Sequence, residues 1–398
     1  MNPTILRRLA PSTIVWITWL AIVFSGHHFH SIVQWWPASL SMILGSFVAG
    51  STPLGGGVIA FPVGVLVLRF SSSESRDLSV LIQSVGMNCA AYLLVTEKRH
   101  LLNATFIGVF FVFGACGVCL AFLGGFRVSD QSINVVYSVL VFEFAIFYAY
   151  KNIVLRPATN GDGEGDEGKE GDDGKEGNRS ECNTTGVRLT EMKEPEPGHE
   201  TTAPRSPTPP WQKYLLWCIM VVCAVVGGFA AAAVGTGSDI AMYIFGILCW
   251  NVRKPKEDML HDNQLTASGI VVMGLISLVV VLMRLLDLST SEEVPVPPIL
   301  NNRTNTSSST PIFTFRVLET WAAMVPIVCL GAPLGSLILT PRRLPWLRRM
   351  FYFLAVLQLI MFGVLKIKHN WVVWWVIVVL TCVQSVLIFV HQRIISSR

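Results

Sequence analysis

Residues 45–68, GSFVAGSTPLGGGVIAFPVGVLVL, and residues 227–250, GGFAAAAVGTGSDIAMYIFGILCW, decide how this chain is read. Both are long apolar segments interrupted by glycine and hydroxyl residues. Laid side by side, Gly45 meets Gly227, Phe47 meets Phe229, Gly55 meets Gly237, Gly64 meets Gly246 and Leu66 meets Leu248, every pair 182 positions apart. A water-soluble core has no need of two such segments. In hydrocarbon, where every backbone group must be bonded internally, an unwound stretch is tolerated only where protein buries it or a polar cavity receives it.

Composition supports a bilayer setting. Of 398 residues, 52% are hydrophobic and only 14% charged, against about a quarter charged in a soluble domain. Such a chain cannot cover itself with a water-compatible surface, which excludes a soluble enzyme, a disordered chain, a disulfide-stapled domain and a nucleic-acid binder. The net charge of +4 hides a division. Residues Asn160 to Glu200 hold 13 acidic and 5 basic side chains, and the rest of the chain is basic. Eight of the nine cysteines lie in apolar stretches, which suits small buried hydrophobes. The C-x-x-C of Cys116 and Cys119 falls inside one of these stretches and reads the same way.

About 20 apolar residues cross a bilayer, and ten stretches come near that length. The fold expected is an all-α polytopic membrane protein. It has two homologous halves, each with a glycine-rich broken transmembrane helix, and 9–10 transmembrane segments in all. Residues 1–36 hold a signal-like or first transmembrane helix. Residues 37–150 form the first repeat, and residues 151–211 an acidic, glycine-rich, disordered linker that cannot bury a core. Residues 212–367 form the second repeat, with an exposed loop at 287–316. Residues 368–398 hold a last helix and a basic tail. Counting one crossing per stretch, and placing Arg253, Lys254 and Lys256 with Arg342, Arg343, Arg348 and Arg349 in the cytosol, leaves the linker outside. Lys98 and Arg99 then also fall outside, against the rule. If a broken segment is a re-entrant hairpin, the linker changes side. The glycan-acceptor patterns at Asn302 and Asn305 fall outside, and those at Asn178 and Asn183 follow the linker.

The two breaks are the candidate substrate path. Ser51 to Gly57 contains Thr52, Pro53, Gly55, Gly56 and Gly57, and Ala233 to Asp239 contains Gly235, Thr236, Gly237 and Ser238. After each break a helix restarts, and its free N–H groups suit an anion. The competing reading is close helix packing through small residues. Gln83 and Asn88 on the third stretch and Gln264 on the seventh can donate hydrogen bonds to anion oxygens, or tie helices together. Asp239 reads two ways: a cap for the helix that follows, or a proton- or cation-coupling group, since a charge in mid-bilayer costs roughly 2.5–3.5 kcal/mol. Glu143, central in VYSVLVFEFAIFYAY, is the second such acid. His27, His28 and His30 read as a wet loop, and Trp35, Trp36, Trp371, Trp374 and Trp375 as interface anchors.

With these residues in hand the chain resembles the TauE/SafE family of sulfite and organosulfonate exporters. The likeness rests on Gly45-Ser46-Phe47 through Gly55-Gly56-Gly57 with Pro62 following. It rests also on LGAPLGSLILTPRRLPWLRRMFYFLAVLQLIMFGVLKI, from Leu330 to Ile367, where a G-x-x-x-G helix, a basic hairpin and an apolar helix follow in order. The resemblance implies membrane transport of a small inorganic or organosulfur anion, with Gly55 to Gly57 and Gly235 to Ser238 on its path. The sequence holds no H-E-x-x-H, G-x-S-x-G or G-x-x-x-x-G-K-[ST] motif, so no enzymatic activity is expected, and no cofactor or metal. The second half departs from the family pattern: Gly237-Ser238-Asp239 replaces three glycines, and Ile244 stands where Pro62 stands in the first half. A proton or cation is a possible coupling partner and the bilayer the constant one. An ion channel, or a multi-pass receptor or scaffold, is the alternative.

Overall fold

The structure, a computed structural model, describes residues 3–25, 29–52, 55–125, 129–154, 210–251, 259–287 and 314–338, and residues 352, 353, 356 and 360. Most of the acidic linker, the exposed loop after residue 287, the last helix and its three tryptophans, His27, His28, Pro53 and Leu54 lie outside the described residues. Among the described residues all regular structure is helical: α1 Pro3–Ser25, α2 Phe29–Gln34, α3 Trp36–Ser51, α4 Gly57–Pro62, α5 Ser72–Glu97, α6 Ala104–Leu123, α7 Asp130–Val154, α8 Pro210–Val234, α9 Ser238–Phe245, α10 Asp262–Asp287 and α11 Phe315–Leu337. Short π-helical turns, Val63–Val67 and Gly246–Trp250, extend α4 and α9. Six helices are long and apolar enough to cross a membrane, namely α5, α6, α7, α8, α10 and α11. The chain is an all-α integral membrane protein. Helix α5 is the central one: 78% of its apolar window is buried, against 33% for α6 and for α8.

Local chemistry sets the helix ends. Ser71 accepts from the Glu74 N–H at 3.2 Å while Glu74 Oε2 accepts from the Ser71 N–H at 2.9 Å, a reciprocal cap that starts α5. Asn103 caps α6 by accepting from the Phe106 N–H. Helix α11 contains Pro326 and Pro333, and each proline leaves the carbonyl four residues earlier without its helical donor. Helix α1 supplies both donors. Trp19 Nε1 donates to Ala322 O at 2.6 Å and Ser12 Oγ to Cys329 O at 2.7 Å.

The direction of each helix follows from its contacts. Along α5 and α11, Glu74 meets Thr314, Trp321 donates to Leu81 O, and Lys98 Nζ donates to Ser336 O and Leu337 O. The two helices therefore run parallel. Helix α3 runs parallel to α11 as well: Ser39 donates to Ala323 O, and Gly335 lies against Phe47 and Gly50. If α3 and α5 share a direction, α4 between them must run back. It does: Gly57 sits against Ser79 and Gly64 against Ser75, and Trp35, before α3, meets Phe70, before α5, edge to face at 5.8 Å. The second broken stretch also doubles back. Gly227 lies 3.0 Å from Ala241 measured at its missing Cβ, Gly237 lies against Ala230, and α9 then runs antiparallel to α10 through Gly246 and Leu265.

This corrects the count of crossings. Both broken stretches are hairpins whose ends lie on one side, not helices that pass through. An interrupted apolar run of this length carries no signal for its change of direction; only the partners of its second limb do. Helix α10 is antiparallel to α5, because Asn88 meets Gly274 while Asp77 meets Arg284. The two hairpins therefore enter from opposite ends. Their inner contacts correspond: Gly45 packs on Ile59 and Gly227 on Ala241, a shift of 182 at both positions. Each hairpin crosses a glycine-bearing helix from the other part of the chain. Helix α3 meets Gly331 and Gly335 of α11, and α8 meets Gly114 and Gly117 of α6.

Candidate functional site

The turns of the two hairpins meet beside Gln83, in the middle of α5. Gly55 and Gly237 have φ of +64° and +141°, backbone states that a residue with a Cβ adopts only under strain. At Gly55 the bare backbone also leaves room for other groups. The point where its Cβ would stand is 3.2 Å from Asp239 Oδ2 and 3.3 Å from Gln83 Oε1. Gln83 ties the turns together, donating from Nε2 to Ser79 Oγ at 2.8 Å and to Gly235 O at 2.9 Å. Tyr137 of α7 donates to Gly57 O at 2.7 Å. One carbonyl in or beside each turn is thus held by a side chain from another element.

Four polar atoms here are buried without a hydrogen-bond partner: Gln83 Oε1, Thr236 Oγ1, Ser238 Oγ and Asp239 Oδ2. Their four residues are each no more than 1% exposed. Leaving one buried polar group unsatisfied costs about 1–3 kcal/mol, so a cluster of them in a folded protein calls for a ligand, water or proton. A cavity of about 10 Å³ adjoins the first turn, lined by Ser46, Ala49, Gly56, Gln83 and Met87 among others. That is room for about one water. Asp239 Oδ1 accepts from the Ile240 N–H at 2.9 Å, so one oxygen of the carboxyl is engaged at the start of α9. Toward the end where α5 begins, Arg76 packs on Gly235. Its guanidinium and that of Arg284 share Asp77 Oδ1 at 2.9 and 3.3 Å.

The structure brings together Gly55, Gly56, Gly57, Gln83, Gly235, Thr236, Gly237, Ser238 and Asp239. Three other sequence candidates have local duties. Thr52 is buried, and its hydroxyl donates to Val48 O in its own helix. Asn88 donates to Ser84 O and Gly274 O, a clasp between α5 and α10. Gln264 Oε1 accepts from the His261 N–H and caps the start of α10. Glu143 is half-buried on α7 and partnered there. Sequence reasoning missed Ser79, Tyr137 and Arg76. Tyr137 carried no signal, whereas the SSSESRDLSV run of residues 71–80 is unusually polar for the start of a central helix.

Residues 38–362 match a family model described as Sulfite exporter TauE/SafE. No curated protein and no solved structure matches the chain.

Proposed function

The chain belongs to the sulfite exporter TauE/SafE family, a family of membrane transporters, and from that premise we propose that it carries a small sulfur oxyanion or organosulfonate through the cluster between its hairpin turns. One observation carries the proposal: two hairpins entering from opposite ends place their turns on one buried, unsatisfied polar cluster. Transporters use such opposed, interrupted helices to hold a substrate while one element moves against the other. Thr236 and Ser238 offer hydroxyl donors without acceptors, and the glycines of both turns let an anion approach the backbone. The buried state of the cluster suits an occluded conformation, opened by a shift of either hairpin. The shared offset of the hairpin contacts supports reading residues 37–150 and 212–367 as two inverted homologous halves.

The hairpins also reorder the sides. Lys98 and Arg99, the start of α10 and the end of α11 share one end, and the sequence puts three basic residues shortly before that start and four arginines shortly after that end. The positive-inside rule makes that end cytosolic, and the anomaly at Lys98 is gone. Helix α7 begins beside Ser73, whose N–H donates to Asp130 Oδ1, so it finishes at the cytosolic end. Helix α8 starts from that end too, which puts the acidic linker in the cytosol. The acceptor patterns at Asn302 and Asn305 stay outside.

Counterflow in proteoliposomes tests the function. Vesicles loaded with unlabelled sulfite should take up labelled sulfite faster than protein-free vesicles, with methanesulfonate and sulfate competing according to fit. Uptake no faster than in protein-free vesicles for every one of these anions would sink the proposal.

A further inference from the structure

We propose that the anion travels with a proton, and that the proton is seated between Asp239 Oδ2 and Gln83 Oε1, beside Gly55. The idea rests on the transport reading above and adds the coupling to it. Both oxygens reach the point where a Gly55 side chain would begin, and both are buried and unpartnered. The amide of Gln83 has a fixed orientation. Its nitrogen faces Gly235 O, which can only accept, so its oxygen is the atom left on the Gly55 side, where Asp239 Oδ2 also stands. An amide oxygen and a carboxylate oxygen are both acceptors. Two acceptors turned to one gap need a donor between them, and a proton on Asp239 Oδ2 provides it, donating to Gln83 Oε1. The other carboxylate oxygen is already engaged by Ile240 N–H.

The charged neighbours leave this seat to Asp239. Helices α3 and α4 carry no ionisable side chain. On α5, Arg76 and Asp77 are paired with each other, and Asp77 also with Arg284 of α10. The two acids of α10, Asp262 and Asp287, lie at its first and last residues. On α7, Tyr137 is bound to Gly57 O and Glu143 is half-buried and partnered. On α9, Tyr243 packs among Phe144 and Tyr148. On α8, Lys213 lies in the first turn, far along the helix from Val234.

An anion among Thr236, Ser238 and the turn glycines lies close to Asp239. Two negative charges at that range, with little water between them, repel strongly. The loaded state therefore holds the anion and a neutral acid, and the empty state releases both. One proton is taken up on one side and given back on the other for each anion, with no redox change.

The test uses full-length protein in proteoliposomes with labelled sulfite, and with methanesulfonate as a probe that does not itself titrate near neutrality. In the wild type, a gradient of about one pH unit should drive accumulation approaching tenfold for one coupled proton. Adding methanesulfonate should carry protons inward, as read by a trapped pH dye. Asp239→Asn places a permanent donor where the acid proton would sit. Whatever its rate of exchange at equal pH, the anion it moves should be neither accumulated by the pH gradient nor accompanied by protons. Equal accumulation with and without the pH gradient in the wild type, or accumulation that follows sodium instead, would overturn the coupling while leaving anion transport standing. Retained pH-driven accumulation in Asp239→Asn would overturn it as well. No movement of any anion by the wild type would overturn both proposals.

Discussion

The two hairpins share a shape and differ in chemistry. In the first, the turn is Gly55-Gly56-Gly57, with no ionisable group and one carbonyl, Gly57 O, held by Tyr137. In the second, the turn is Gly235-Thr236-Gly237, followed by Ser238 and Asp239, with Gly235 O held by Gln83. The inner contacts Gly45 on Ile59 and Gly227 on Ala241 correspond, yet three of the four orphaned polar atoms belong to the second turn or its helix start. The contrast separates two jobs that one motif had seemed to combine. Glycines at matched positions build the closely packed hairpins. The unmatched residues Thr236, Ser238 and Asp239 set what the site can hold. The first turn contributes mainly space, which Gln83 and Asp239 then face.

The largest effects should come from filling the two turns. A β-branched residue at Gly237 must adopt φ near +141°, with its Cβ 2.7 Å from Ala230. At Gly55 it would meet φ near +64° and both site oxygens. Backbone strain of this kind costs on the order of 1–3 kcal/mol, before any clash. Gly55→Val and Gly237→Val should each abolish sulfite counterflow in protein that still reaches the membrane, with Gly237→Val giving the lower yield. Counterflow at wild-type rate in both variants would show that the turns are packing contacts alone.

Much of this contrast was legible in the chain. The all-helical membrane fold, the two breaks, their offset and the odd acid at Asp239 are all local patterns of composition and spacing. The reversal of direction was not. Residues 37–70 read as one interrupted crossing, and only tertiary partners such as Phe70 beside Trp35 reveal the return. The helper residues divided for a related reason. Gln83, Asn88 and Gln264 look alike as amides near apolar stretches, but their roles depend on which backbone group each faces. Gln83 meets the opposite turn, Asn88 a carbonyl of α10, and Gln264 its own helix start.

A second contrast concerns the two glycine-bearing helices that the hairpins cross. Helix α6 has no proline, whereas α11 has two, and α1 supplies the donors for both freed carbonyls. This makes α1 a structural strut for α11, and α6 has no such partner among the described residues. Ser12→Ala and Trp19→Phe should each lower the stability of detergent-solubilised protein by about 1–3 kcal/mol, the cost of an unsatisfied buried group. Thermal unfolding would measure it, and intact mass would show whether α1 is present. Removing α1 by cleavage without loss of stability would refute the strut.

Tyr137→Phe gives a smaller and sharper probe of the first turn. It deletes one hydroxyl and leaves the ring on Phe61, 4.2 Å between centroids. A single hydrogen bond of this kind contributes about 0.5–1.5 kcal/mol. If the first turn serves mainly as space, the variant should lose that much stability while its preference among sulfite, methanesulfonate and sulfate stays the same. A changed preference would move the first turn from scaffold to selector.

The smallest effect should come from the linker that joins the two hairpin-bearing parts. Its acidic, glycine-rich sequence offers almost no apolar surface to bury, and the ends it connects, Val154 and Pro210, lie at the same end of the protein in the arrangement argued above. Removing Gly161 to Gly177 leaves more than thirty residues between those ends. A chain of that length spans up to about 100 Å when extended, so the connection stays slack. Shortening a long flexible loop changes its closure entropy by only about 0.6 kcal/mol per halving. The hairpins are held by reciprocal packing, α3 on α11 and α8 on α6, and none of those contacts involves the linker. The deletion should therefore leave folded yield and counterflow close to wild type. In a glycosylating host, acceptors at Asn302 and Asn305 should be modified and those at Asn178 and Asn183 should not. Loss of folded protein on deletion would mean that the linker carries contacts. Glycans at Asn178 or Asn183 would reverse the side assigned to it, and with it the claim that both broken stretches turn back.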